Sequence, residues 1–135
     1  EITSYTVVWS LSNSANNITK GIVRSSLPAW VRFVGPVSPL SEDLTYNPST
    51  QELVWNVGNI AKGTGISSPS REASFRVTFE PSLSQVGTVP IIVNEAVLTG
   101  HDDFANVDIR VSKPALSTRL SSDGSFPIGG ERVIE

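Results

Sequence analysis

Hydrophobic and polar residues alternate along most of this chain with a period of two. In "SYTVVWSL", Tyr5, Val7, Trp9 and Leu11 share one face and Thr6, Val8 and Ser10 the other, the pattern of a half-buried β-strand. "SNSANN" is a turn cluster. "KGIVRSSL" is a second strand, stopped at Leu27-Pro28, and "WVRFV" is a short third one with Val31 and Phe33 on one side. "GPVSPLSED", with two prolines, reads as a loop. "LTYN" and "ELVWNVGNI" form two strands around the turn "NPSTQ", and "AKGTGISSPS" is a loop. The clearest alternation is in "EASFRVTFE", where Ala73, Phe75, Val77 and Phe79 face inward and Pro81 ends the strand. "TVPIIVNEAVLTG" reads as one longer strand whose Pro90 places its start at an edge or bulge. "FANVDIRVS" is the last strong strand, with Val107, Ile109 and Val111 inward.

No segment combines a helical period with caps, and "PSLSQVG" has room for one turn at most. Seven or eight short strands, with turn signals about every ten residues, predict an all-β fold: an immunoglobulin-like antiparallel β-sandwich. The Cys–Trp–Cys arrangement of antibody domains is missing, since the chain has no Cys. The sandwich is expected over residues 1–113. Residues 114–135 carry a short alternating piece and then Gly and Pro, and read as an edge strand or a linker to a neighbouring repeat. "EITSYT" at the start and "GGERVIE" at the end both resemble the approach to a first strand, which hints at an array cut at a repeat boundary.

Composition narrows function mostly by exclusion. At 135 residues the chain is one domain, large enough to bury a core without staples. Only 17% of residues are charged, against about 25% in an average domain. Ser, Thr and Asn supply the polar share, as in strands and turns. A net charge of -3 without a basic stripe makes nucleic acid a poor partner. Without Cys there is no thiolate zinc site and no Cys nucleophile, although the compartment is left open. Without Met, the chain reads as a processed or excised piece. No stretch approaches the ~20 apolar residues of a membrane span, so no membrane contact by these residues is expected.

The candidate chemistry is sparse. "GHDDFANVD" holds the only His, His101, with Asp102, Asp103 and Asp108. Carboxylates converging there could hold Ca²⁺, which wants six to eight oxygens, and Glu95 could add a ligand. The alternative is a solvated acidic hairpin. His101 beside Asp also resembles a catalytic pair, but no nucleophile motif accompanies it: "GTGISS" and "LSSDGS" lack the strand–elbow–helix setting of a serine hydrolase. No enzyme is expected. A Lys–Asn isopeptide crosslink, as some bacterial surface sandwiches carry, needs an inward Lys. Lys20, Lys62 and Lys113 all lie next to turns, loops or Pro. Trp30 stands at a loop-like position, suited to stacking on a sugar or a partner protein if exposed, or to capping the core if not. Asn17 opens a glycosylation sequon, "NIT", which matters only in a glycosylating pathway.

Several landmarks resemble a known family, the bacterial surface-repeat immunoglobulin-like domain called conserved domain of unknown function number eleven. They are Tyr5, Thr6, Asn13, Leu27, Pro28, Val31 and Phe33; then Tyr46, Pro48, Trp55, Val57, Gly58 and Gly63; then Asn94, Ala96 and Gly100. The likeness runs over roughly residues 3 to 112. Two features depart from the family pattern: Trp30 stands where Gly is common, and the loop "GISSPSRE" is long. The resemblance implies an exported, extracellular cell-surface module, often in tandem, with structural or adhesive rather than catalytic work. Its partners would be neighbouring repeats of the same chain and a host or cell-wall glycan or protein. A glycan- or Ca²⁺-binding module using the loops at one end is the alternative. On either reading Tyr46 and Trp55 plug the sandwich across a hairpin, and Gly58 and Gly63 sit at special backbone positions.

Overall fold

The computed structural model describes residues 3–79, 90–117 and 125–128. The possible turn at 81–87 lies outside the described residues. Among the described residues eleven strands follow one another: β1 (Thr3–Asn13), β2 (Ile18–Ser26), β3 (Val31–Ser38), β4 (Asp43–Asn47), β5 (Glu52–Ile60), β6 (Arg71–Phe79), β7 (Ile91–Val93), β8 (Ala96–Asp102), β9 (Val107–Lys113), β10 (Leu116–Ser117) and β11 (Ser125–Ile128). One sheet has the order β11-β1-β6-β3 and the other β4-β5-β2-β8-β9, with β10 and β7 pairing separately. The chain is an immunoglobulin-like β-sandwich, as its alternation predicts.

The two sheets meet through aromatic rings. Trp9 of β1 stacks on Trp55 of β5 across the sandwich, with centroids 6.4 Å apart and planes 15° from parallel. Phe75 and Phe126 present edges to Trp9 at 5.2 and 6.2 Å. Phe33 of β3 stacks on Tyr46 of β4 at 5.0 Å, forming a second contact between the sheets. Trp9 and Trp55 are 1% and 0% exposed, so the face read as inward is inward. Tyr46 is half-buried, packed against the core rather than inside it. Among the described residues no buried side-chain nitrogen or oxygen lacks a partner.

Three expectations are corrected. The long strand expected over 88–100 is split. β7 pairs with β10, whereas β8 pairs with β2 and β9. Asn94 makes the break: its N–H and its Nδ2 donate to the Ser26 carbonyl and hydroxyl, and its own carbonyl accepts from the Ser25 hydroxyl. Those bonds tie the chain to the end of β2 and end the ladder. Second, "GPVS" extends β3 to Ser38 instead of forming loop. Third, Val107 is 51% exposed. It begins β9, the edge strand of its sheet, whose inward face is covered only from Ile109 onward. Residues 114–135 read as an edge strand or a linker, and their described part includes an edge strand. β11 joins the sandwich with Phe126 at 0% and Ile128 at 3% exposure, and it pairs with β1 in parallel, unlike the other strand pairs among the described residues.

Strand direction gives the sandwich two distinct ends. β1 starts at an entry end, which also holds the β2–β3 connection, the β4–β5 turn and the β7–β8 break. It finishes at an exit end, with the 14–17 turn, the 61–70 loop and the 103–106 turn. β11 runs alongside β1 and so reaches the exit end at Ile128.

Candidate functional site

The acidic stretch forms the β8–β9 turn at the exit end. Asp102 is only 6% exposed and its carboxylate is occupied. Its Oδ1 accepts the backbone N–H of Phe104 and of Ala105, both at 3.0 Å. Asn16 Nδ2 donates to Oδ2 at 3.1 Å. The Ala105 N–H, helped by Asn16 and Phe104, holds the carboxyl below the usual aspartate range. Asp102 thus closes its own turn and ties it to the neighbouring 14–17 turn. Asp103 accepts the Thr19 hydroxyl at 3.0 Å. Asp108 has an outward, 91% exposed side chain that meets His101 Nδ1 at 2.9 Å.

The three aspartates therefore have three separate duties and do not converge. Among the described residues no three His, Cys, Asp or Glu side chains gather as a metal site would require. Glu95 lies at the opposite end: it precedes β8 while Asp102 ends it, a separation of roughly 20 Å at ~3.3 Å per strand residue. It cannot join a site at the 103–106 turn.

His101 is held at both ring nitrogens, Nδ1 by Asp108 and Nε2 by Asn106 Oδ1 at 3.1 Å. The Asp108 carboxylate, first, and Asn106 raise its pKa above the ordinary histidine value. Both ring nitrogens thus face side-chain oxygens of the hairpin. An open groove of ≈ 370 Å³ beside it is lined by Lys20, Thr99, Asp108 and Arg110. The His–Asp pair fastens a hairpin.

Trp30 lies at the entry end, so it forms no common site with the aspartates. Its indole N–H donates to the Ile91 carbonyl at 2.9 Å, yet the residue remains 44% exposed. It therefore bridges the β2–β3 connection to β7 and leaves part of its ring in solvent. Lys20 and Lys62 are exposed and Lys113 is half-buried; none occupies the buried inward position that an isopeptide crosslink uses. Asn17 is exposed but already engaged, its Oδ1 accepting the Lys62 N–H at 2.8 Å.

One polar cluster had no warning in the sequence. Glu42, in the β3–β4 connection, accepts from Arg71 Nε and Nη2, both at 2.9 Å, and from the Trp55 indole at 2.9 Å. Arg71 also donates to the carbonyls of Val57 and Asn59, both at 3.2 Å. The fork of Arg71 thus joins the start of β6, in one sheet, to β5, in the other, and Glu42 couples it to the central tryptophan. Arg71 holds the Glu42 carboxyl below the ordinary carboxylate range, and Glu42 raises Arg71. Opposite charges at the ends of two strand signals were visible, but no spacing rule pairs residues 29 apart.

No family model matches the chain, and no curated protein does. Among solved structures, it is similar to part of the crystal structure of three N-terminal domains of the type V pili tip protein Mfa5 from Porphyromonas gingivalis. The TM-score is 0.53 and the identity 17%, over 77% of this chain and 22% of that one. Lower-scoring likenesses are to BcpA, the major pilin subunit of Bacillus cereus (TM-score 0.48, 11% identity, 94% of this chain and 40% of that one), and to the major pilin SpaD from Corynebacterium diphtheriae (0.49, 12%, 87% and 34%). The chain spans well under half the length of each. At 17% identity the first likeness shows a shared fold.

Proposed function

We propose that this chain is a non-catalytic structural and adhesive module of an exported bacterial cell-surface protein, joined in series to neighbouring modules, of the surface-repeat type it resembles. The observation that carries the reading is the path of the chain. It enters β1 at one end of the sandwich and leaves β11 at the other. A module threaded this way adds its full length to an array, about 36 Å for the eleven residues of β1 at ~3.3 Å each. The polar residues at the exit end support the reading, because their bonds hold turns together: Asn13, Asn16, Asp102 and His101 are all engaged within their turns or with a neighbouring element. The solved structure that shares the fold, itself part of a pilus-tip protein, supports it too. Adhesion would use Trp30, whose exposed ring at the entry end suits a glycan or a partner protein.

An antibody raised against the chain tests the location. It should label intact cells of the producing bacterium. Labelling found only after permeabilisation would overturn the reading.

A further inference from the structure

The parallel pairing of β1 with β11 has a mechanical meaning, which depends on the array reading above. When a serial module is pulled through its two ends, β1 is drawn toward the entry end. β11 is drawn toward the exit end. The two strands lie side by side and parallel, with Ser10, Leu11, Ser12 and Asn13 opposite Ser125, Phe126, Pro127 and Ile128. Tension therefore runs along the strands and across the bonds between them. In that geometry the bonds share the load and must fail together. Strands pulled apart from one end lose them one at a time.

We propose that the β1–β11 pair is a shear clamp that sets the force at which this module opens. The clamp is short but fastened beyond its ladder. Phe126 is fully buried with its ring edge against Trp9, and Ile128 is 3% exposed. The Ile128 carbonyl accepts from both the N–H and the hydroxyl of Ser14 at 3.2 Å, at the end where the pull is applied. Pro127, which cannot donate, is exposed, as an edge strand allows. β1 is in turn held along nearly its whole length by β6, from Thr3 opposite Phe79 to Leu11 opposite Arg71. Load entering through β11 thus meets its weakest junction at β11 itself, and passes from there into the core.

Single-molecule force spectroscopy on the full 135-residue chain tests this. With no native Cys, handles can be placed without background. Pulling between the two termini loads β1 and β11 in shear. Pulling between Ala105→Cys, an exposed exit-end position, and the C-terminus peels β11 from Ile128. The terminal geometry should give a severalfold higher opening force. Phe126→Ala should lower that force strongly, whereas Leu98→Ala, an equally buried truncation in β8, should lower chemical stability and leave the force nearly unchanged. Equal forces in the two geometries would overturn the clamp, as would an equal effect of the two truncations. The geometry comparison needs no core substitution, so it decides the matter even if Phe126→Ala does not fold. A failed clamp with surface labelling intact would leave the array reading standing; a strong clamp in a chain absent from the surface would not rescue it.

Discussion

Replacing Arg71 by Met keeps most of its apolar stem and removes the fork. The loss can be worked from its contacts. Arg71 donates twice to Glu42, whose side chain is only 11% exposed, and twice to the β5 carbonyls. Without it Glu42 keeps, among the described residues, the Trp55 indole as its side-chain donor. Removing one member of a buried ion pair costs about 3–5 kcal/mol. The Arg71 side chain is 34% exposed, however, so water screens the pair and can solvate what remains. A discounted figure of about 2–3 kcal/mol follows. It should appear in urea unfolding as a lower midpoint with an unchanged slope, and as a fall in Tm of roughly 3–5 °C per kcal/mol. A cycle with Glu42→Met should then show most of the loss as coupling.

The same pair sets a pH dependence. The folded pKa of Glu42 lies below its unfolded value, so its contribution is fully present above the ordinary glutamate range. It is lost as pH falls from that range through the folded pKa. Wild-type stability should drop over that window, and Arg71→Met should flatten the Glu42 part of the drop. A loss under about 0.5 kcal/mol with no coupling would refute the reasoning and reduce the pair to a surface contact.

Trp55→Ala should cost about 3–5 kcal/mol in chemical denaturation, because it opens the centre of the ring stack and removes one of the donors to Glu42; a near-neutral result would contradict the placement of the core. Gly58 has φ +80° and open space where a Cβ would stand, so Gly58→Ala should cost about 1–2 kcal/mol from backbone conformation alone, and Gly58→Asn less. Asp102→Ala should lower Tm while neither excess Ca²⁺ nor a chelator shifts the Tm of the wild-type chain, since this carboxylate serves the turn. A calcium-dependent rise abolished by Asp103→Asn would reverse that assignment.

Period-two alternation is local, and what it reports is which residues of a strand share a face. That was enough to place Val7, Trp9, Leu11, Phe75, Val77 and Phe79 inside and to name the sandwich. Alternation carries no information on which strand lies beside which. The split at Asn94 depends on hydrogen bonds to Ser25 and Ser26, some 70 residues earlier in the chain. The exposure of Val107 depends on β9 being an edge. The acidic turn was legible as a cluster of carboxylates, but not the direction of each one; Asp102 turned inward because two backbone N–H groups of its own tight turn needed an acceptor. Glu42 and Arg71 meet only once both sheets are assembled. β11 lies in a stretch that reads in sequence as an edge strand or a linker, because four residues are too few to show a period. It becomes a parallel strand because the apolar edge beside β1 takes Phe126 and Ile128 out of water.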